Sequence, residues 1–166
     1  MRMELIQPFI NAADAVLAQS LNCNTSINDV AMSEDAYRRK GIAALIAVTG
    51  DIEGRIILDL EPDMATKMAS ALAGYEVSQT DELVHETICE LANLVIGNAV
   101  TSLNDQGYQF KVHPPEFHTD EEGCKSTEDT EALVMCFGTP VGSVFMNIAM
   151  HYNRRRRMEK GAVPAD

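Results

Sequence analysis

The chain has 166 residues and carries 25 acidic against 13 basic side chains, a formal net charge of −12. Its 46% hydrophobic and 23% charged residues are ordinary for one globular domain that buries a core without staples, not for a disordered chain. The acidity argues against a nucleic-acid binder, which needs clustered Lys and Arg for phosphate contacts.

Residues 3–21 are expected to form a first helix, with Leu5, Ile6, Phe9, Ile10, Ala13, Val16, Leu17 and Leu21 at helical spacing. Glu4, Gln7, Asn11 and Asp14 interrupt that stretch, so it lacks the apolar core of a signal peptide. Residues 22–40 are polar and read as loop with room for an edge strand. The apolar run 42–49, the turn chemistry between Gly50 and Gly54, and residues 55–60 read as a β-hairpin with glycines bracketing its turn. A second helix is expected to start at Pro62, whose fixed φ suits a first helical position, and to end at Gly74. Met64, Met68, Ala71 and Leu72 form its expected buried stripe.

The third helix, from an N-cap at Thr80 or Asp81 to about residue 104, is the longest. A strand over 108–112 follows, stopped by Pro114 and Pro115, then an acidic loop over 116–130. Two closing strands, 132–137 and 143–150, complete the chain. In the last, Val144, Met146, Ile148 and Met150 face one side, and Ser143, Asn147 and His151 the other. The order divides into two loosely similar halves, each a long helix followed by antiparallel strands. That order predicts an α+β sandwich, long helices on a mostly antiparallel sheet. One domain spans 1–152, and 153–166 is a basic tail holding the arginine run 154–157.

Chemistry of the common kinds finds little support. Cys23, Cys89, Cys124 and Cys136 include no CxxC pair, which points to a reducing cytoplasm rather than a disulfide scaffold. No apolar run reaches the ~18 residues of a membrane span. His113, His118 and Cys124 match no structural zinc spacing, and no metal site is expected. No nucleophile elbow and no phosphate-cradling glycine loop is present. The third helix stands apart. Glu86, Glu90, Asn93 and Gly97 lie at offsets that stack along one edge of a 3.6-residue helix, while Leu91, Ala92, Leu94, Val95 and Ile96 are apolar. Asparagine and glycine are poor interior helix residues, and a bare glycine on that edge leaves room for another backbone.

These residues resemble the active-site helix of the CheC/CheX/FliY chemotaxis phosphatases. The resemblance rests on Asp81, Glu82 and Leu83, then Glu90, Leu91, Ala92 and Asn93, then Gly97, Asn98 and Ala99. It extends to the opening stretch from Gln7 to Asn11, to the hairpin from Val48 to Gly54, to the two prolines and to the closing strands. The first helix lacks an intact E-x-x-N, so the chain is similar to CheX, which keeps one such helix, rather than to CheC. The resemblance implies a CheC-like α/β sandwich and hydrolysis of the aspartyl phosphate of a CheY-like response-regulator receiver domain in chemotaxis or related two-component signalling. It implies Asn93 as the residue that orients the attacking water and Glu90 as the partner of the receiver's lysine, with Glu86 and Gly97 on the docking edge. It implies no cofactor bound by this chain, Mg²⁺ being supplied by the receiver, and a homodimer formed through sheet edges or the final strands. Two departures stand out: Glu86 occupies a position where the family tends to have Asp or Ser, and Ala92 one where it often has Gly. The alternatives are a non-catalytic module of the same fold that binds a receiver or motility-complex protein, and a metal-dependent hydrolase built on the His113 and His118 loop.

Overall fold

The computed structural model describes residues 3–33, 40–119 and 132–153. Helix α1 (Met3–Leu21) buries the stripe that its apolar spacing demands, from Leu5 and Ile6 through Phe9 and Ala13 to Leu17. The chain then enters β1 (Ser26–Ser33), an edge strand, and the hairpin β2 (Ile42–Gly50) and β3 (Ile52–Leu60). The hairpin is longer than its glycines suggest. Gly54 pairs with Val48 in the last rung of the β2–β3 ladder, and both strands continue past that rung on their other neighbours, so the chain reverses around Asp51. Gly54 has φ +149°, and a Cβ there would lie 1.8 Å from the Ala149 carbonyl oxygen of the neighbouring strand. Close strand approach is what requires glycine.

Helix α2 (Pro62–Ala73) starts at its proline and ends on Gly74, whose left-handed φ of 82° lets its N–H return to the Ser70 carbonyl. Its buried residues are Met64, Ala65, Met68 and Ala69, so the expected stripe is corrected at Ala71 and Leu72, which are exposed. Offsets of three and four residues from Met68 place Ala71 and Leu72 near that stripe, but the helix layer does not extend far enough to cover them. Helix α3 (Glu82–Asp105) follows, then β4 (Phe110–Val112), β5 (Glu116–Thr119), β6 (Ala132–Gly138) and β7 (Ser143–Tyr152). Strand β5 replaces the start of the expected acidic loop, because Phe117 and its neighbours pair with the free edge of β2 beyond the prolines. The rest of that loop, 120–130, lies outside the described residues, as does the tail from 154 onward.

All strand pairs are antiparallel, in the order β1-β6-β7-β3-β2, with β4 and β5 sharing the outer edge of β2. The two expected halves are visible in this order. β3 and β7, the last strands of each half, lie side by side at the centre. The first strand of each half crosses to the other: β1 pairs with β6, and β4 with β5 pair with β2. The final strands therefore have both edges occupied, which removes them as edges for self-association and leaves only their outer face.

The core lies between one sheet face and the helices. Ile46, Ile56, Leu58, Ile148, Met146 and Phe137 project from the sheet onto Leu5, Phe9, Met68, Ile88 and Leu103. The opposite face is less open than the alternation in β7 suggests. Ser143 and His151 are exposed, but Asn147 is buried, where it accepts a hydrogen bond from Arg55 Nη1 at 2.7 Å. Asp59 is wholly buried on the same face and accepts from the Lys40 backbone N–H through both oxygens, at 2.9 and 3.1 Å. Among the described residues no helix is long and apolar enough to cross a membrane.

Candidate active site

Helix α3 is set rigidly before any chemistry is considered. Asp81, of the two expected caps, is the one that caps it: its carboxylate accepts from the Leu83 N–H at 2.9 Å, with the extended backbone of an N-cap. Glu82 adds a favourable negative charge to the first turn. One broad face then enters the core through Val84, Ile88, Leu91, Ala92, Val95, Ala99 and Leu103, against α1, α2 and β2. On its flank His85 stacks on Phe117 of β5, with ring centroids 4.1 Å apart and planes 11° off parallel. A helix held along most of its length presents its remaining edge in one fixed geometry.

That edge carries all four residues expected there. Glu86, Glu90, Asn93 and Gly97 are exposed. Residues three and four apart on a helix have Cβ atoms about 5–6 Å apart, so Glu90 and Asn93 reach the same small volume of solvent. Among the described residues, none of Glu86, Glu90 and Asn93 makes a side-chain hydrogen bond or ion pair. Each is thus available to another molecule. A Cβ added at Gly97 would meet nothing within 4 Å, so no contact among the described residues explains a glycine that costs the helix roughly 1 kcal/mol relative to alanine.

Two apolar residues of this helix part company. Leu94 is 43% exposed, whereas its apolar neighbours suggested that only polar residues leave the core. Ala92, by contrast, is fully buried, so the departure from glycine noted in the sequence bears on packing beneath the helix and not on its exposed polar edge. Leu94 faces Leu72 of α2 across an open groove of about 410 Å³ that runs beside Glu86 and Glu90. No sequence signal marks this groove, because a leucine on an apolar helix is normally read as core.

The remaining candidates do not gather into a site. His113 Nε2 lies 2.9 Å from the Thr49 hydroxyl, and His118 Nε2 lies 3.7 Å from Glu116. Among the described residues no group of three His, Cys, Asp or Glu side chains is placed to hold a metal ion, and Cys124 lies outside those residues. Cys89 shares α3 with the edge, but burial pushes its thiol above the ordinary value, which keeps it protonated and a poor nucleophile. What the site offers is one amide and two carboxylates on a rigid rod, suited to positioning a water and a cation rather than to covalent catalysis.

The family model described as chemotaxis phosphatase CheX matches residues 42–139 of this chain. The chain belongs to that family. The matched stretch runs from β2 through α3 to the end of β6 and includes the whole polar edge of α3. A relative from Thermotoga maritima, named CheY-P phosphatase CheX, is 35% identical over 75 residues, which are 45% of this chain and 48% of that protein. The chain thus spans about half the length of the curated relative it matches. Among solved structures, a CheC-like superfamily protein from Shewanella sp. PV-4 superposes with a TM-score of 0.78 at 22% identity, covering 91% of this chain and 99% of that one. The CheX-CheY-BeF3-Mg+2 complex from Borrelia burgdorferi contains a chain 31% identical to this one, with a TM-score of 0.70 and coverage of 90% and 99%. The expected CheC-like sandwich is therefore the observed fold.

Proposed function

We propose that this chain hydrolyses the aspartyl phosphate of a CheY-like receiver domain, in chemotaxis or a related two-component pathway. The observation that carries the proposal is the Glu90 and Asn93 pair, exposed, unengaged and one helical turn apart on a capped helix. The family supports it, since one matched relative is named for CheY-P hydrolysis and a 31% identical chain occurs in a complex with CheY.

In this mechanism α3 docks against the receiver's phosphorylation site. Asn93 uses its neutral amide, donor at nitrogen and acceptor at oxygen, to hold a water in line with the phosphorus. Water oxygen bonds to phosphorus as the acyl P–O bond breaks, releasing inorganic phosphate and leaving the receiver's aspartate as a carboxylate. Glu90 holds the receiver's lysine and keeps the two surfaces in register. The receiver brings its own Mg²⁺, which neutralises charge on the phosphoryl oxygens. Acyl phosphates are already labile, so orientation alone supplies a useful acceleration, and no side chain of this protein need be tuned as a general base.

The test follows phosphoaspartate decay on CheY-like receivers with wild-type protein and with Asn93→Ala. Acceleration by wild type that the substitution abolishes is the expected result. If both leave the decay rate untouched, the phosphatase reading fails, and a retained complex would identify a binding module instead. The proposal also places the chain in the cytoplasm, in keeping with the free Cys23, Cys89 and Cys136. Self-association belongs to the same proposal, through β1, through β4 and β5, or through the outer sheet face. Sedimentation velocity distinguishes monomer from dimer.

A further inference from the structure

The groove beside the docking edge has no occupant within the described chain, and its walls and rim differ in character. Leu72, Leu83, Leu91 and Leu94 form the walls, with Leu72 41% and Leu94 43% exposed. Glu86 and Glu90 stand on the rim. Two large leucines left facing solvent across an opening of about 410 Å³ are a loss of apolar burial unless something else fills it. The opening is continuous with the polar edge, since Glu90 belongs to both.

We propose that this groove receives an apolar side chain of the phosphorylated receiver domain, one flanked on the receiver by a lysine or arginine that Glu86 meets. The inference rests on the receiver-docking reading of the Glu90 and Asn93 edge and specifies how that docking obtains its affinity. A rigid apolar slot beside two carboxylates selects a surface that presents Leu, Met, Val or an aromatic ring next to a cation. A small apolar metabolite would not use the carboxylate rim, whereas a receiver surface with a cation beside an apolar side chain meets both rim and slot. The residues divide accordingly: Asn93 acts on the reaction, whereas Leu72 and Leu94 act on the encounter.

The experiment titrates the intact protein with CheY-like receiver domains activated by beryllofluoride and Mg²⁺, and in parallel follows phosphoaspartate decay. Leu94→Ser and Leu72→Ser are each expected to raise Kd and KM about tenfold, with a much smaller effect on the rate at saturation. Leu94→Met should restore Kd to within about twofold of wild type, because it refills the slot. Both leucines are also partly buried, so the serine variants should melt a few degrees below wild type and remain folded at the temperature of the titration, which the melting profile checks. Unchanged Kd in both serine variants, with wild type still dephosphorylating the receiver, would overturn the groove while leaving the phosphatase reading intact. Binding without hydrolysis, weakened by the serine variants, would support the groove and sink the phosphatase reading. Absence of any binding by wild type would overturn both. If Leu94→Ser instead dissociates a dimer and leaves receiver Kd unchanged, the groove joins two copies of this chain and the proposal is overturned.

Discussion

Helices α1 and α3 open the two halves of the fold and pack against each other on one face of the sheet, yet their exposed edges behave differently. On α1, Gln7 Nε2 donates to Asn11 Oδ1 at 2.9 Å, and Glu4 accepts from the Tyr152 hydroxyl at 2.7 Å. On α3, Glu86, Glu90 and Asn93 engage nothing among the described residues. Both helices have amides and carboxylates at helical spacing, so polarity along an edge does not by itself mark a site. The difference is whether the chain satisfies those groups internally. Where it does, the edge is a structural surface, and where it does not, the groups remain available to a partner.

The sharpest challenge to this contrast is a pair of equivalent substitutions. Asn93→Ala should lower receiver dephosphorylation by about 10²-fold or more, as loss of an orienting group does. Asn11→Ala should leave that rate unchanged, and equal effects in a decay assay would erase the distinction between the edges. Glu90→Gln comes next, with a rate loss of roughly tenfold from replacing a charge-assisted bond to the receiver's lysine by a neutral one. High salt should shrink that gap, which a titration of rate against ionic strength measures.

Gly97→Ala separates stability from function. It should stabilise the protein by about 0.5–1 kcal/mol through helix propensity, since the added methyl meets no neighbour. The same methyl should weaken receiver binding several-fold if the partner's backbone approaches there. A thermal melt and a binding titration on one preparation read both effects. A more stable protein with unaltered binding would remove Gly97 from the docking edge.

The smallest effect lies on the α1 side. Burial, then hydrogen bonds to Tyr108 and Glu4, holds the Tyr152 hydroxyl well above the ordinary tyrosine range. The folded state therefore keeps a proton that the unfolded chain loses near pH 10. The resulting stability is fully present below about pH 10 and declines as pH rises beyond it. Tyr152→Phe should flatten that alkaline decline in stability against denaturant while leaving dephosphorylation intact.

Much of the candidate site was legible because helical periodicity is local. The spacing of Glu86, Glu90, Asn93 and Gly97 depends only on 3.6 residues per turn, and all four emerge on one exposed edge. The caps at Asp81 and Gly74 were legible for the same reason, since cap chemistry acts within one turn. Leu94 and Leu72 were not legible. Their exposure depends on where neighbouring helices stop covering the surface, which periodicity does not encode. Ala92 likewise needed the packed helix to show that it faces inward. The extension of the hairpin through Gly54 needed Ala149, a residue distant in the chain, at 1.8 Å from the place a Cβ would take.

The sequence by itself determined the helices, the centre of each apolar face, the antiparallel character of the sheet and the polar edge of α3. Those features arise from alternation, helical spacing and turn chemistry among near neighbours. Only the tertiary structure decided that β1 crosses to β6 while β4 and β5 cross to β2, and that Tyr152 of β7 reaches Glu4 on α1. It alone also opened a groove beside Glu90. Such features are set by contacts between residues far apart in the chain, whose energies depend on what the fold brings alongside.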